Sequence, residues 1–133
     1  FEDALQNLLD TATTARERLT RYMDFFAASM NSGLLPLCGA LAAEKSALPS
    51  RLQDRVRYFF ELHLKWLSGV VSAGIRTNEL RSDLEVDASS RLILSTIEGA
   101  SLVAWATGDT SVVQSTKNQV LRDIQLQGSS CPI

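Results

Sequence analysis

The chain has 133 residues, 13 of them Lys or Arg and 15 Asp or Glu, for a formal net charge of −2. That length suits one domain, and so even a charge balance argues against a phosphate-binding surface, which needs clustered cations. Hydrophobic residues make up 45% and charged residues 21%, a globular rather than a disordered balance, and no apolar run approaches the roughly 18 residues that span a bilayer.

The hydrophobic period is helical almost throughout, which predicts an all-α domain of about six antiparallel helices. Phe1, Leu5, Leu8 and Leu9 share one face of a short first segment. Thr14 and Glu17 have the spacing of a capping box and open a second helix. Its stripe carries Leu19, Tyr22, Met23, Phe26, Ala27 and Met30, and Gly33 closes it. Pro36 can begin a short, small-residue helix to Glu44. Ser50 and Gln53 form a second expected capping box, at the start of the longest helix, which runs to about Thr77. One face of that helix reads Leu52, Val56, Phe59, Phe60, His63, Trp66, Leu67, Val70 and Val71. Its other face holds Arg51, Asp54, Arg55, Glu61 and Lys65, so the densest basic stretch is interrupted by acids and reads as a solvated face.

A charged connection from Asn78 to Asp87 precedes a helix over Val86–Thr107. Leu92, Ile93 and Leu94 are consecutive there, as are Leu102, Val103, Ala104, Trp105 and Ala106. Apolar residues in sequence cover most of a helix circumference, so this helix is expected to be buried on two sides. Gly108 ends it. Asp109 or Thr110 caps a last helix carrying Val112, Val113, Val120, Leu121 and Ile124 to about Leu126. Residues 1–126 form the expected domain and 127–133 a flexible tail.

Catalytic and metal chemistry find no footing. No Ser/His/Asp arrangement, Gly-rich phosphate loop or ligand-spaced Cys/His set occurs, so neither enzyme activity nor a cofactor is expected. The two cysteines are Cys38, in an alanine-rich run, and Cys131, in a polar tail. They make no disulfide framework and suggest a reducing, cytoplasmic setting. Asp83, Glu85 and Asp87 read as helix N-terminal charge rather than as a cation site.

Three segments in order resemble the C-terminal regulatory domain of the tetracycline-repressor (TetR) family: Cys38–Glu44 before a Pro-broken turn, Gly74–Leu84 after the long helix, and Ile97–Ala100 followed by Gly108 and Asp109. Arg16–Leu19 is similar to the start of that family's fifth helix. The chain departs at Glu85 and Val86, where the family often carries Asp-Pro, which predicts a weakened cap. No helix-turn-helix precedes Phe1, so the resemblance implies part of a bacterial regulator whose DNA contacts lie elsewhere.

The resemblance further implies a small-molecule pocket, an effector-driven release of DNA and a homodimer. Candidate lining residues are Met23, Phe26, Phe59, Phe60, His63, Trp66, Leu102 and Trp105, a mostly apolar set suited to an apolar or aromatic effector; each could equally be plain core. His63, the only histidine, would stay neutral in the core or orient a ligand group. Burying an unpaired carboxylate is costly, so Glu98, inside an apolar helix, is expected to join a network with Arg or Tyr, to contact a ligand, or to lie at an edge and stay wet. Two-sided burial of the Val86–Thr107 helix points to a two-fold four-helix bundle made with the last helix. Ile93, Ile97, Val103, Val113, Val120 and Ile124 are its expected seam. The alternative function is a stand-alone helical interaction module with neither ligand nor DNA.

Overall fold

The computed structural model describes residues 2–31 and 37–125; the side chains at 2, 29–31 and 37–39 are outside the description. Phe1, Gly33, Pro36, Cys131 and the 127–133 tail therefore lie outside the described residues, as do the side chains of Met30 and Cys38. The helices are α1 (Glu2–Thr11), α2 (Ala15–Asn31), α3 (Leu37–Ala43), α4 (Ser50–Arg76), α5 (Val86–Thr107) and α6 (Ser111–Ile124), with a 3₁₀ turn at Lys45–Ala47 before α4.

Thr14 caps α2 as its spacing predicts: the Glu17 amide donates to Thr14 Oγ1 at 3.0 Å. The Glu17 carboxylate reaches back to the Thr13 amide at 3.3 Å, one residue earlier than a capping box requires. The expected box at Ser50 does not form. Pro49, extended at ψ 149°, is the N-cap and has no side-chain cap bond; Gln53 donates instead to the Leu48 carbonyl at 2.9 Å. The cap of α5 corrects the sequence reading in the other direction. Glu85 accepts from the Asp87 and Ala88 amides at 3.1 and 2.7 Å, so Glu supplies the cap that the departure from Asp-Pro was expected to weaken. Gly108, at φ 71°, closes α5 in the left-handed region where Gly carries no Cβ penalty. At α6 it is Asp109, not Thr110, that caps, accepting from the Ser111 amide and hydroxyl at 3.0 and 2.6 Å.

Helix α5 packs between α4 and α6, and α2 lies against all three. The core they share holds Leu19, Tyr22 and Met23 of α2, Leu67, Val70 and Val71 of α4, Ile93, Leu94, Ile97 and Ala104 of α5, and Val113, Val120, Leu121 and Ile124 of α6. Leu5 and Leu8 of α1 close one side of it. Leu52, placed on the apolar face of α4 by its spacing, is exposed near the start of that helix.

This core corrects the expected dimer seam. Ile93, Ile97, Val113, Val120 and Ile124 are buried within the single chain, at 0 to 7% exposure, and are not available to a second copy. Of the six expected seam residues only Val103 is exposed. Helix α5 is buried on one side, and Leu92, Leu102, Val103 and Trp105 face outward.

The turn between α4 and α5 gathers three helix ends. Gly74 lets it close: a Cβ there would lie 2.7 Å from Leu80 Cγ and 2.9 Å from the Ala15 Cβ. The Glu79 and Leu80 amides both donate to the Gly74 carbonyl, with Asn78 left-handed at φ 61° between. Both carboxylate oxygens of Glu79 then accept from the Ala15 amide at 3.2 Å, at the start of α2. Arg81 donates from its amide to the Ile124 carbonyl and from Nη1 to the Asp123 carbonyl, satisfying the free end of α6. Among the described residues, no helix is long and apolar enough to cross a membrane.

Candidate functional site

Tyr22 stands at the centre of an aromatic cluster built by α2 and α4. One turn of α2 places Phe26 edge-on to it, with centroids 5.6 Å apart. Across the interface Trp66 stacks on it at 5.2 Å, and the His63 ring is 5.6 Å away. Phe59 continues the cluster, 4.1 Å from His63 and edge-on to Phe60 at 5.2 Å. Residues 59, 63 and 66 meet because steps of three and four share a helix face. Tyr22, His63 and Met23 are fully buried, whereas Phe26, Phe59, Phe60 and Trp66 are half-buried.

Two polar anchors hold the rings in place. The Tyr22 hydroxyl hydrogen-bonds His63 Nδ1 at 2.7 Å, and Trp66 Nε1 donates to the Leu5 carbonyl at 3.2 Å, tying α1 to α4. Burial pushes the His63 imidazole down to about 4, so it is neutral near pH 7. Burial, helped by the nearby negative charge of Glu98, holds the Tyr22 phenol above its ordinary range.

Glu98 reaches this cluster from α5. It is 9% exposed, and burial pushes its carboxyl up to about 7. No hydrogen bond or ion pair reaches its carboxylate among the described residues. Two cations in the chain's other ion pairs are committed elsewhere: Lys117, itself buried, bonds Asp24 at 2.6 Å and joins α6 to α2, and Arg81 pairs with Asp83 at 3.0 Å. Of the states open to such a carboxylate, the wet edge position fits, since its oxygens are not among the buried side-chain atoms without a partner. The structure brings Tyr22 near, but its hydroxyl is engaged by His63.

The structure thus brings together Met23, Phe26, Phe59, Phe60, His63 and Trp66 of the expected lining, with Glu98 beside them. It does not enclose Leu102 and Trp105, which are 39% and 55% exposed on α5. Their consecutive apolar neighbours made them read as interior, but Ala104 and Ser101 occupy the inward positions of that turn. Tyr22 was the omission. It lies on the predicted apolar stripe of α2, next to Met23 of the expected lining, and its hydroxyl is the one sign that it does more than fill space. A cleft of about 210 Å³ between Arg16 of α2 and Asn118, Leu121, Arg122 and Gln125 shares no residue with the cluster. No group of three or more His, Cys, Asp or Glu is placed to hold a metal ion among the described residues.

A family model described as the tetracyclin repressor-like C-terminal domain matches residues 15–120. A TetR-family transcriptional regulator from Agrobacterium tumefaciens superposes with a TM-score of 0.88 at 25% identity, covering 94% of this chain and 67% of its own. A TetR regulator from Chloroflexus aurantiacus gives 0.78 at 18% identity, covering 94% and 67%. One from Legionella pneumophila gives 0.73 at 24%, covering 91% and 64%. The last two matches speak for the fold alone, and no curated protein matches the chain. A family match over residues 15–120, which takes in the centre of the aromatic cluster and every helix from α2 to most of α6, places this chain in the tetracycline-repressor-like C-terminal domain family.

Proposed function

We propose that the chain is the effector-sensing, homodimerising part of a bacterial transcription regulator, of the repressor kind, which releases DNA on taking up a small apolar or aromatic molecule. The observation that carries the reading is the cluster of Tyr22, Phe26, Phe59, Phe60 and Trp66 around His63. Flat rings suit flat or greasy ligands, and Met23 beside them adapts to irregular ones. A ligand that prefers one arrangement of α2 against α4 shifts the balance between two states by its differential affinity. DNA contacts fall to residues outside this chain, because its cations are scattered and its net charge is −2. The test is thermal melting against a library of aromatic and aliphatic small molecules. A true effector raises the melting temperature in proportion to log concentration once saturating. A library without one such compound counts against the effector reading.

Dimerisation belongs, in this reading, to the outer face of α5. Ala88, Leu92, Ser95, Gly99, Val103 and Ala106 recur there at helical spacing, uncharged and exposed or partly exposed. A Cβ at Gly99 would meet nothing within 4 Å, so the chain itself supplies no packing reason for a mid-helix glycine. A second copy crossing at that point would supply one. Val103→Glu should give a folded monomer in sedimentation at tens of micromolar protein. Val120→Glu, by contrast, should unfold the chain, since Val120 is interior. A wild type that sediments as a monomer defeats the dimer assignment.

A further inference from the structure

We propose that the cleft between α2 and α6 is a second ligand site, which takes a small dicarboxylate between Arg16 and Arg122. It shares no residue with the aromatic cluster, so it stands or falls apart from the effector reading above.

The cleft is built at two helix ends. Asn118, Leu121, Arg122 and Gln125 stand at helical spacing, so they share one face of α6 and its C-cap. Arg16 lines the other side from the first turn of α2. Leu121, 4% exposed, is an apolar floor, while both arginines and Asn118 are exposed. The lining therefore carries two positive charges and no negative one, in a chain whose net charge is −2. The neighbouring acids have other partners. Glu17 pairs with Arg21 at 2.6 Å, Glu79 accepts from the Ala15 amide, and Asp123 accepts from Gln119 at 2.9 Å. Among the described residues no ion pair engages Arg16 or Arg122.

The polar groups keep donors for a ligand. Arg122 uses Nη2 on Gln119 at 3.1 Å and retains the rest of its guanidinium. The Asn118 oxygen accepts from Gln114 at 3.3 Å, which leaves its amide nitrogen to donate. The Asp123 and Ile124 carbonyls at the end of α6 would repel an anion, but Arg81 bonds both. Arg16 stands at the positive end of the α2 dipole, which disfavours a cation, and an anion between the helices offsets that cost. A planar carboxylate matches a guanidinium fork through two parallel bonds. Two forks suit two carboxylates, and Leu121 suits the carbon chain that joins them. Inorganic phosphate gathers its charge at one point and leaves Leu121 uncovered. At about 210 Å³ the cleft falls below the roughly 300–1,000 Å³ of drug-sized pockets, which limits the occupant to a small molecule. Bound there, a dicarboxylate clamps the start of α2 to the end of α6.

The experiment is an NMR titration of the full chain with glutarate, butyrate and inorganic phosphate. Ionic strength is held at about 0.15 M, so that loose attraction between exposed charges is screened. Glutarate should saturate, with shifts confined to the first turn of α2 and to residues 118–125. Arg16→Gln and Arg122→Gln, at exposed positions that tolerate substitution, should each weaken glutarate by about tenfold or more. Arg57→Gln, an exposed arginine outside the cleft, should leave its affinity unchanged. Butyrate binding as tightly as glutarate overturns the pairing of two carboxylates with two arginines. Phosphate binding as tightly overturns the dicarboxylate assignment. Shifts that spread over the arginines of α4 without saturating, an unchanged affinity in Arg16→Gln and Arg122→Gln, or no binding of glutarate to the wild type removes the site itself.

Discussion

Replacing Glu98 with Gln removes one ionisation and keeps the shape of the side chain. In the folded chain the carboxyl is pushed from its ordinary 4.5 up to about 7. The folded state therefore holds this proton more tightly than the unfolded state. The stability it contributes is complete below about pH 4.5 and is lost as pH rises through about 7. At about 1.4 kcal/mol for each tenfold change in proton activity, that gap makes the ionised carboxylate cost about 3 kcal/mol. Glu98→Gln should match the wild type in urea midpoint at about pH 4 and exceed it by up to that amount at about pH 8. The pH profile between those limits is more informative. His63 is pushed down to about 4 from 6.5, so its contribution is present above about 6.5 and lost as pH falls through about 4. In the wild type the two slopes oppose each other between 4.5 and 6.5. In Glu98→Gln only the histidine slope remains, and stability should climb across that window and then level off. A variant less stable than the wild type at about pH 8 would refute the reasoning, because it would mean that the carboxylate has a cationic partner.

Gly74→Ala should lower stability by about 1–3 kcal/mol in urea unfolding, because the new methyl meets Leu80 and Ala15 and both are buried. Tyr22→Phe should cost about 1–2 kcal/mol, the price of a buried hydrogen bond broken on one side, and proton NMR should show the His63 titration moving with it. Glu79→Ala should cost about 1 kcal/mol, since its carboxylate acts as a cap for α2; loss of amide protection confined to the first turn of α2 is the accompanying mark.

Period alone was enough to read the helices and most of their ends. Leu67, Val70 and Val71 of α4 recur at steps of three and four, Val113, Val120 and Ile124 of α6 at steps of seven and four, and each is buried as the spacing predicts. What spacing could not supply was direction. In α5, Leu92 and Ile93 are adjacent and equally apolar, yet one is 57% exposed and the other 0%. Which of them meets the chain's own core depends on where α4 and α6 lie, and no local pattern encodes that. The same gap separated Val103 from the five other expected seam residues. In the site, the rings of α4 were legible because they share one helix face, whereas the Tyr22–His63 bond joins residues 41 apart in sequence. Glu98 was legible for a different reason: a charge inside an apolar helix is conspicuous whatever packs against it. Ser50 misled because Pro49 takes the extended conformation that a capping residue needs, which leaves Ser50 already helical.

The turn after α4 also sets how that helix can move. Glu79 ties it to the start of α2, and Arg81 and the Leu80–Gln125 bridge tie it to the end of α6. The C-terminal end of α4 is thus a fulcrum. The arm extending from it has 27 residues, a length of about 40 Å at 1.5 Å per residue. Phe59, His63 and Trp66 sit along the middle of that arm. A pivot of about 5° would sweep the Ser50 end through about 3 Å while displacing the rings by roughly half as much. A wedge inserted at the rings would be amplified about twofold at the far end.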